Sequence, residues 1–124
     1  MAIVNHRDVP TFELQGNLMI GVATPSHGAR QVEAWYTTLA PGAATPPHVH
    51  DAEEIVVVLR GRGELRVGEG RLSFEAPCTL IAPAGVCHQI LNTGEETVEA
   101  VAAMPLGSTI SDADGAALEL PWRR

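Results

Sequence analysis

Strand-length segments with a two-residue period, each closed by glycine or proline, run through this chain and leave little room for helix. "TFEL" and "NLMIGVA" come first, then "QVEAWYTTLA" ending in "PG". "EIVVVLRG", "GELRV", "RLSFEA", "CTLIAP", "HQILN" and "TVEAVAAM" continue the pattern, and "ALELPW" supplies a last short strand or tail. Alternation over stretches this short marks strands, in which residues i and i+2 face the same side. Twelve glycines and nine prolines in 124 residues provide the turns. Between "GELRV" and "RLSFEA", "GEG" reads as a hairpin loop. "EIVVVLRG" is too apolar for a strand with one wet face and is expected to be buried on both sides. "SDADGAA" reads as a solvated turn or loop. Roughly eight to ten short strands predict an all-β sandwich or barrel of the jelly-roll kind. The length fits a single domain over residues 1–124.

Charge narrows the choice of partner. A formal net charge of −7 argues against a nucleic-acid backbone or an anionic membrane surface, both of which reward clustered Lys and Arg. No run approaches the ~18 apolar residues of a membrane helix. The opening "MAIVNHRDVPTF" lacks a basic stretch followed by an apolar one, so the expected compartment is the cytoplasm. In that compartment Cys78 and Cys87 are expected to be free thiols.

The chemistry concentrates in "PPHVHDAEE". If the backbone there is extended, His48 and His50 share a face, and Pro46 and Pro47 push the residues before them toward extended geometry. Glu54 has the same parity and Glu53 the other. An HxH pair alone is more often a surface or structural feature than a metal site. "PAGVCHQILN" adds a second element: Pro83 and Gly85 form a tight turn that delivers His88 to the start of another strand. Three imidazoles and one carboxylate suit Fe(II), Mn(II), Ni(II), Co(II) or Zn(II) better than Ca²⁺ or Mg²⁺.

On these residues the sequence resembles the cupin superfamily. The first cupin motif, glycine, five residues, HxH, three residues, Glu, six residues, glycine, is met by Gly42, His48, His50, Glu54 and Gly61. The second, PxG, two residues, His, three residues, Asn, is met by Pro83, Gly85, His88 and Asn92. Pro77 stands where the second motif usually opens with glycine. The resemblance is to compact single-domain bacterial-type cupins. It implies a jelly-roll β-barrel, or double-stranded β-helix, with its core over about residues 12–104. It also implies one divalent transition metal ion per chain, held by His48, His50, Glu54 and His88. A homodimer is implied as well, and the apolar strand 17–23 is the candidate to pair across chains. Gly42 and Gly61 are read as turn residues, Asn92 as a turn former, and His6 and His27 as solvated.

Strand parity then outlines a pocket. Val56, Val58, Ile90, Val98, Ala100, Ala102 and Met104 are expected inside, with the alanines leaving room beside the metal. Placing Glu33 in water sends Val32, Ala34 and Tyr36 inward and Trp35 outward. Tyr36 is thus a candidate catalytic hydroxyl, and equally a packed strand tyrosine. Leu72 and Phe74 are expected in the core, with Arg60 at a strand end in solvent. So apolar an interior suits a small, weakly polar molecule that chelates the metal through oxygens, and not a phosphosugar. Three His and one Glu leave two cis positions of an octahedron open, which fits a dioxygenase-type metal enzyme. The same cavity in a non-catalytic binding or sensor protein is the alternative, and a purely structural metal the third reading.

Overall fold

The β-rich expectation is met by two antiparallel six-stranded sheets that enclose one hydrophobic core, and the fold is a jelly-roll β-barrel. The computed structural model describes residues 1–123. One sheet runs in the order Phe12–Leu14 (β1), Asn17–Ala23 (β2), Val32–Leu39 (β3), Val98–Pro105 (β10), Glu54–Arg60 (β5) and Cys78–Ala82 (β8). The other runs Ala117–Leu118 (β12), Ile110–Asp112 (β11), His48–His50 (β4), His88–Asn92 (β9), Arg62–Val67 (β6) and Gly70–Glu75 (β7). Helix is confined, among the described residues, to three 3-10 turns of three residues each. None is long and apolar enough to cross a membrane.

Alternation sets the inner face of the central strands. Val56 and Val58 on β5, Ile90 on β9, and Val98, Ala100, Ala102 and Met104 on β10 are all buried, as their parity requires. Gly61 ends β5 at φ +91°, and a Cβ there would lie 2.9 Å from Cα of Val98, so only glycine fits this turn. Asn92 closes the turn after β9. Its Nδ2 donates to the carbonyls of Leu39 and Glu96, and its Oδ1 accepts from the Gly94 amide. At Pro77 the following strand keeps its register, with Cys78 opposite Val58 and Ala82 opposite Glu54.

Five expectations are corrected. On β3 the parity is reversed: Glu33, Trp35 and Leu39 point inward and Val32 lies exposed. Trp35 buries more apolar area than Tyr36 can, and Glu33 finds partners inside, so the buried carboxylate is tolerated. β5 is not buried on both sides within the chain, because Ile55, Val57 and Leu59 are 40%, 38% and 56% exposed. Leu72, on edge strand β7, is exposed, whereas Phe74 packs against the core. The start of "SDADGAA" is strand, since Ile110–Asp112 pairs with β4, and the rest turns back to β12. Finally, β2 is not an edge strand: β3 pairs along it and β1 covers its first three residues.

The reversed parity is testable by unfolding in urea. Trp35→Ala should cost about 3–5 kcal/mol, as for other buried aromatics. Val32→Ala should cost about 0.5 kcal/mol or less, as at an exposed site. Equal costs at the two positions would contradict this arrangement.

Candidate metal centre

Three strands bring four side chains to one point. β4 carries His48 and His50 two residues apart on one face, β9 begins with His88 directly opposite His48, and β5 begins with Glu54. The Gly85 amide donates to the His50 carbonyl at 2.8 Å, which ties the turn before His88 to β4. Gly85 sits at φ +76°, a conformation in which glycine meets no steric penalty. One ligand atom from each of His48, His50, Glu54 and His88 lies within 4.8 Å of the others. His50, Glu54 and His88 are only 2%, 3% and 2% exposed, and His48 is half-buried. The imidazole centroids lie 4.2 to 5.1 Å apart.

Backbone carbonyls orient two of the imidazoles. Nδ1 of His48 lies 2.7 Å from the carbonyl oxygen of Pro46, and Nδ1 of His88 lies 3.4 Å from that of Val86. A carbonyl can only accept, so each Nδ1 carries the proton and each Nε2 presents a lone pair to the centre. Nε2 of His50 approaches Glu54 Oε2 to 3.0 Å, and Nε2 of His88 approaches Oε1 to 3.5 Å. Neither contact is aligned as a hydrogen bond: His50 Nε2, His88 Nε2 and Glu54 Oε2 are buried without a hydrogen-bond partner. Buried lone pairs that face one another are unfavourable on their own and suit a cation between them. The donor set therefore fits a transition metal.

Electrostatics keep these groups ready to ligate. Burial first, and then the neighbouring His88, lower the His48 imidazole to about 4, so it is neutral at pH 7. Burial raises the Glu54 carboxyl, but His50 and His88, wherever their Nε2 carries a proton toward it, outweigh that effect and hold it at about 2; a metal at the centre would take that proton's place. A metal thus meets a neutral imidazole at His48 and an ionised carboxylate at Glu54, with no proton to displace from either.

Beside the cluster lies a cavity of about 660 Å³, lined by His48, His50 and Glu54 and otherwise mainly by apolar side chains. Val56, Val58, Ala100 and Ala102 contribute as expected. No arginine is among its lining residues, and the chain has no lysine. Tyr36 is not in this wall. It lies on the outer face of β3, where its hydroxyl donates to Glu99 Oε1 at 2.6 Å. Burial, then Glu99, push that hydroxyl up to about 12. Arg60 reaches solvent and pairs with Glu99. His6 is exposed, while His27 is half-buried against the Thr24 hydroxyl. Cys78 and Cys87 are free.

Of the wall residues that the sequence reading missed, two sets matter most. Trp35 replaces Tyr36, and the signal was present: Trp35 shares its parity with Leu39 and so carries the larger apolar area. The second is the segment Ala117–Pro121, which alternates too briefly to announce its inner face.

Comparison with known proteins places this geometry. Auxin-binding protein 1 of Arabidopsis thaliana is 39% identical over 82 residues, which are 59% of this chain and 41% of that protein. This chain thus spans about two-fifths of that relative's length. Among solved structures, the polyketide cyclase RemF of Streptomyces resistomycificus superposes with a TM-score of 0.79 at 18% identity, over 91% of this chain and 85% of that one. An oxalate oxidase bound to the substrate analogue glycolate gives 0.70 at 20% identity, over 82% of this chain and 57% of that one. At such identities these two structures share the fold alone. The family model described as the Cupin domain matches residues 35–104, more than half of the chain and all four clustered side chains. The chain belongs to the cupin family.

Proposed function

We propose that this cupin binds one divalent transition metal ion per chain through His48, His50, Glu54 and His88, and acts as a metal-dependent enzyme of the dioxygenase type. Its substrate is a small, weakly polar molecule with chelating oxygen atoms. The observation that carries this reading is the junction of a buried, lone-pair-rich cluster with a mainly apolar cavity. The bound metal supplies Lewis acidity and, where it is redox-active, electron transfer. The protein supplies the rest. Pro46 and Val86 hold two imidazoles in the ligating tautomer, Glu54 provides the negative charge, and Trp35 with the β5 and β10 side chains receives an apolar body. A cavity without lysine or arginine gives no purchase to phosphate.

A second reading is a binding or sensor protein that holds its ligand without turnover. The relatives named auxin-binding proteins favour it, since their names record binding and no reaction. The two readings part on oxygen consumption. Loaded with Fe(II) and offered acetylacetone or a catechol, an oxygenase consumes O₂. The Zn(II)-loaded protein should still bind the compound but turn over none, because zinc has no accessible redox state. His88→Ala should abolish turnover, whereas Glu54→Ala should only weaken it, since three imidazoles remain. Tight binding with no turnover under any metal would establish the binding reading instead.

The ligand assignment is checked by elemental analysis of protein purified without chelator. Wild-type protein should carry close to one metal ion per chain, and His50→Ala or His88→Ala should lose most of it. His27→Ala, outside the cluster, should retain it. Full retention in both ligand variants would refute the assignment.

Assembly as a homodimer is part of this proposal. Ile55, Leu59 and Ile81 lie exposed on the outer face of the β5–β8 pair, with Ile55 opposite Ile81. An apolar sheet face of this kind suits an isologous contact with a second copy. Light scattering should give a dimer mass at micromolar concentration, and a monomer mass there would refute it.

A further inference from the structure

The segment from Ala117 to Pro121 forms one wall of the metal cavity. Its strand pairing is short, while Leu120 is buried in the hydrophobic core and Trp122 packs against that core. Among the described residues β12 pairs with β11 at two positions and has no other strand neighbour. At its far end the segment is held by a polar clamp on Glu33, a residue with no solvent exposure. Trp122 Nε1 donates to Glu33 Oε1 at 2.8 Å. The Arg123 guanidinium donates to the same carboxylate through Nε and Nη2, and through Nη1 to the carbonyl of Ser108 at 2.9 Å.

The clamp is also coupled to the cavity. Trp35, in the cavity wall, packs on Trp122 with ring centroids 5.5 Å apart. Trp122 has room because residue 21 is glycine: a Cβ there would lie 2.9 Å from its ring. An occupant that presses on Trp35 therefore acts on the residue that anchors the wall.

Charge makes such a clamp reversible. A carboxylate buried without a partner is costly, and one open to water is not. Lifting the segment removes Arg123 and exposes Glu33 to solvent in one movement. The closed state is held firmly, yet the open state keeps no orphaned buried charge. We propose that residues 117–123 are a latched wall of the metal cavity, released at Glu33, through which weakly polar ligands reach His48, His50 and Glu54. This rests on the metal-binding reading given above.

Two measurements on the full chain test the latch, each comparing wild type with Arg123→Ala and Glu33→Gln. The first is amide hydrogen exchange. Residues 117–123 should exchange about tenfold faster in either variant, the scale set by losing charge-assisted hydrogen bonds, while β3, β5 and β10 stay unchanged. The second is the rate at which 1,10-phenanthroline, a flat apolar chelator, strips zinc from the loaded protein. It should also rise about tenfold, with zinc affinity within about twofold, because a gate speeds entry and exit equally. Arg123→Lys should fall between, since an ammonium lacks the planar fork. Acceleration that spreads into the barrel strands would overturn the proposal, as would an opened segment with unchanged stripping. If the wild type takes up no zinc, the metal reading fails, and the exchange measurement still decides whether the wall opens alone.

Discussion

The structure is organised around burying groups that do not want to be buried. Three imidazoles and a carboxylate face one another, and His50 Nε2, His88 Nε2 and Glu54 Oε2 meet no hydrogen-bond partner. Desolvating even one such group unpaired costs roughly 1–3 kcal/mol. The surrounding chain is arranged to hold them there regardless. Two prolines precede His48, the Gly85 amide fastens the second turn to His50, and backbone carbonyls orient His48 and His88. A cation at the centre of such a cluster would be bound with free energy drawn from satisfying these buried groups.

Glu33 provides the internal comparison. It is buried as fully as Glu54, yet its oxygens accept from Trp122 and Arg123. One carboxylate is satisfied by the protein and the other is not, within the same small barrel. Burial alone therefore does not mark a site. The distinguishing property is the kind of neighbour: Glu33 meets an indole N–H and a guanidinium, which can only donate, whereas Glu54 meets imidazole nitrogens, which can also ligate a metal.

How much of this could be read in the sequence depended on what each residue contributes locally. The cluster was legible because its spacing is its geometry: two residues along β4 give one face, and a Pro–Gly turn sets where His88 enters. The inner faces of β5, β9 and β10 followed from alternation for the same reason. β3 departs from its expected parity because the partners of Glu33 lie 89 and 90 residues away, in a segment with no pattern of its own. Leu72 misled through its place in the sheet, since an edge strand leaves an apolar side chain without a covering layer. A rule based on polarity sees neither a distant guanidinium nor a missing neighbour.

β5 shows how one strand can serve two purposes that a two-residue period would separate. Its inward positions, Glu54, Val56 and Val58, belong to the cluster and its cavity. The alternate positions, Ile55, Val57 and Leu59, are as apolar but open outward. An unbroken apolar run is the usual mark of a strand covered on both faces by its own chain. In this barrel the outer face has no cover from the described residues, so the run does not report the interior of one chain. It reports an apolar cavity on one face and, on the other, an exposed apolar surface whose contact with water is unfavourable.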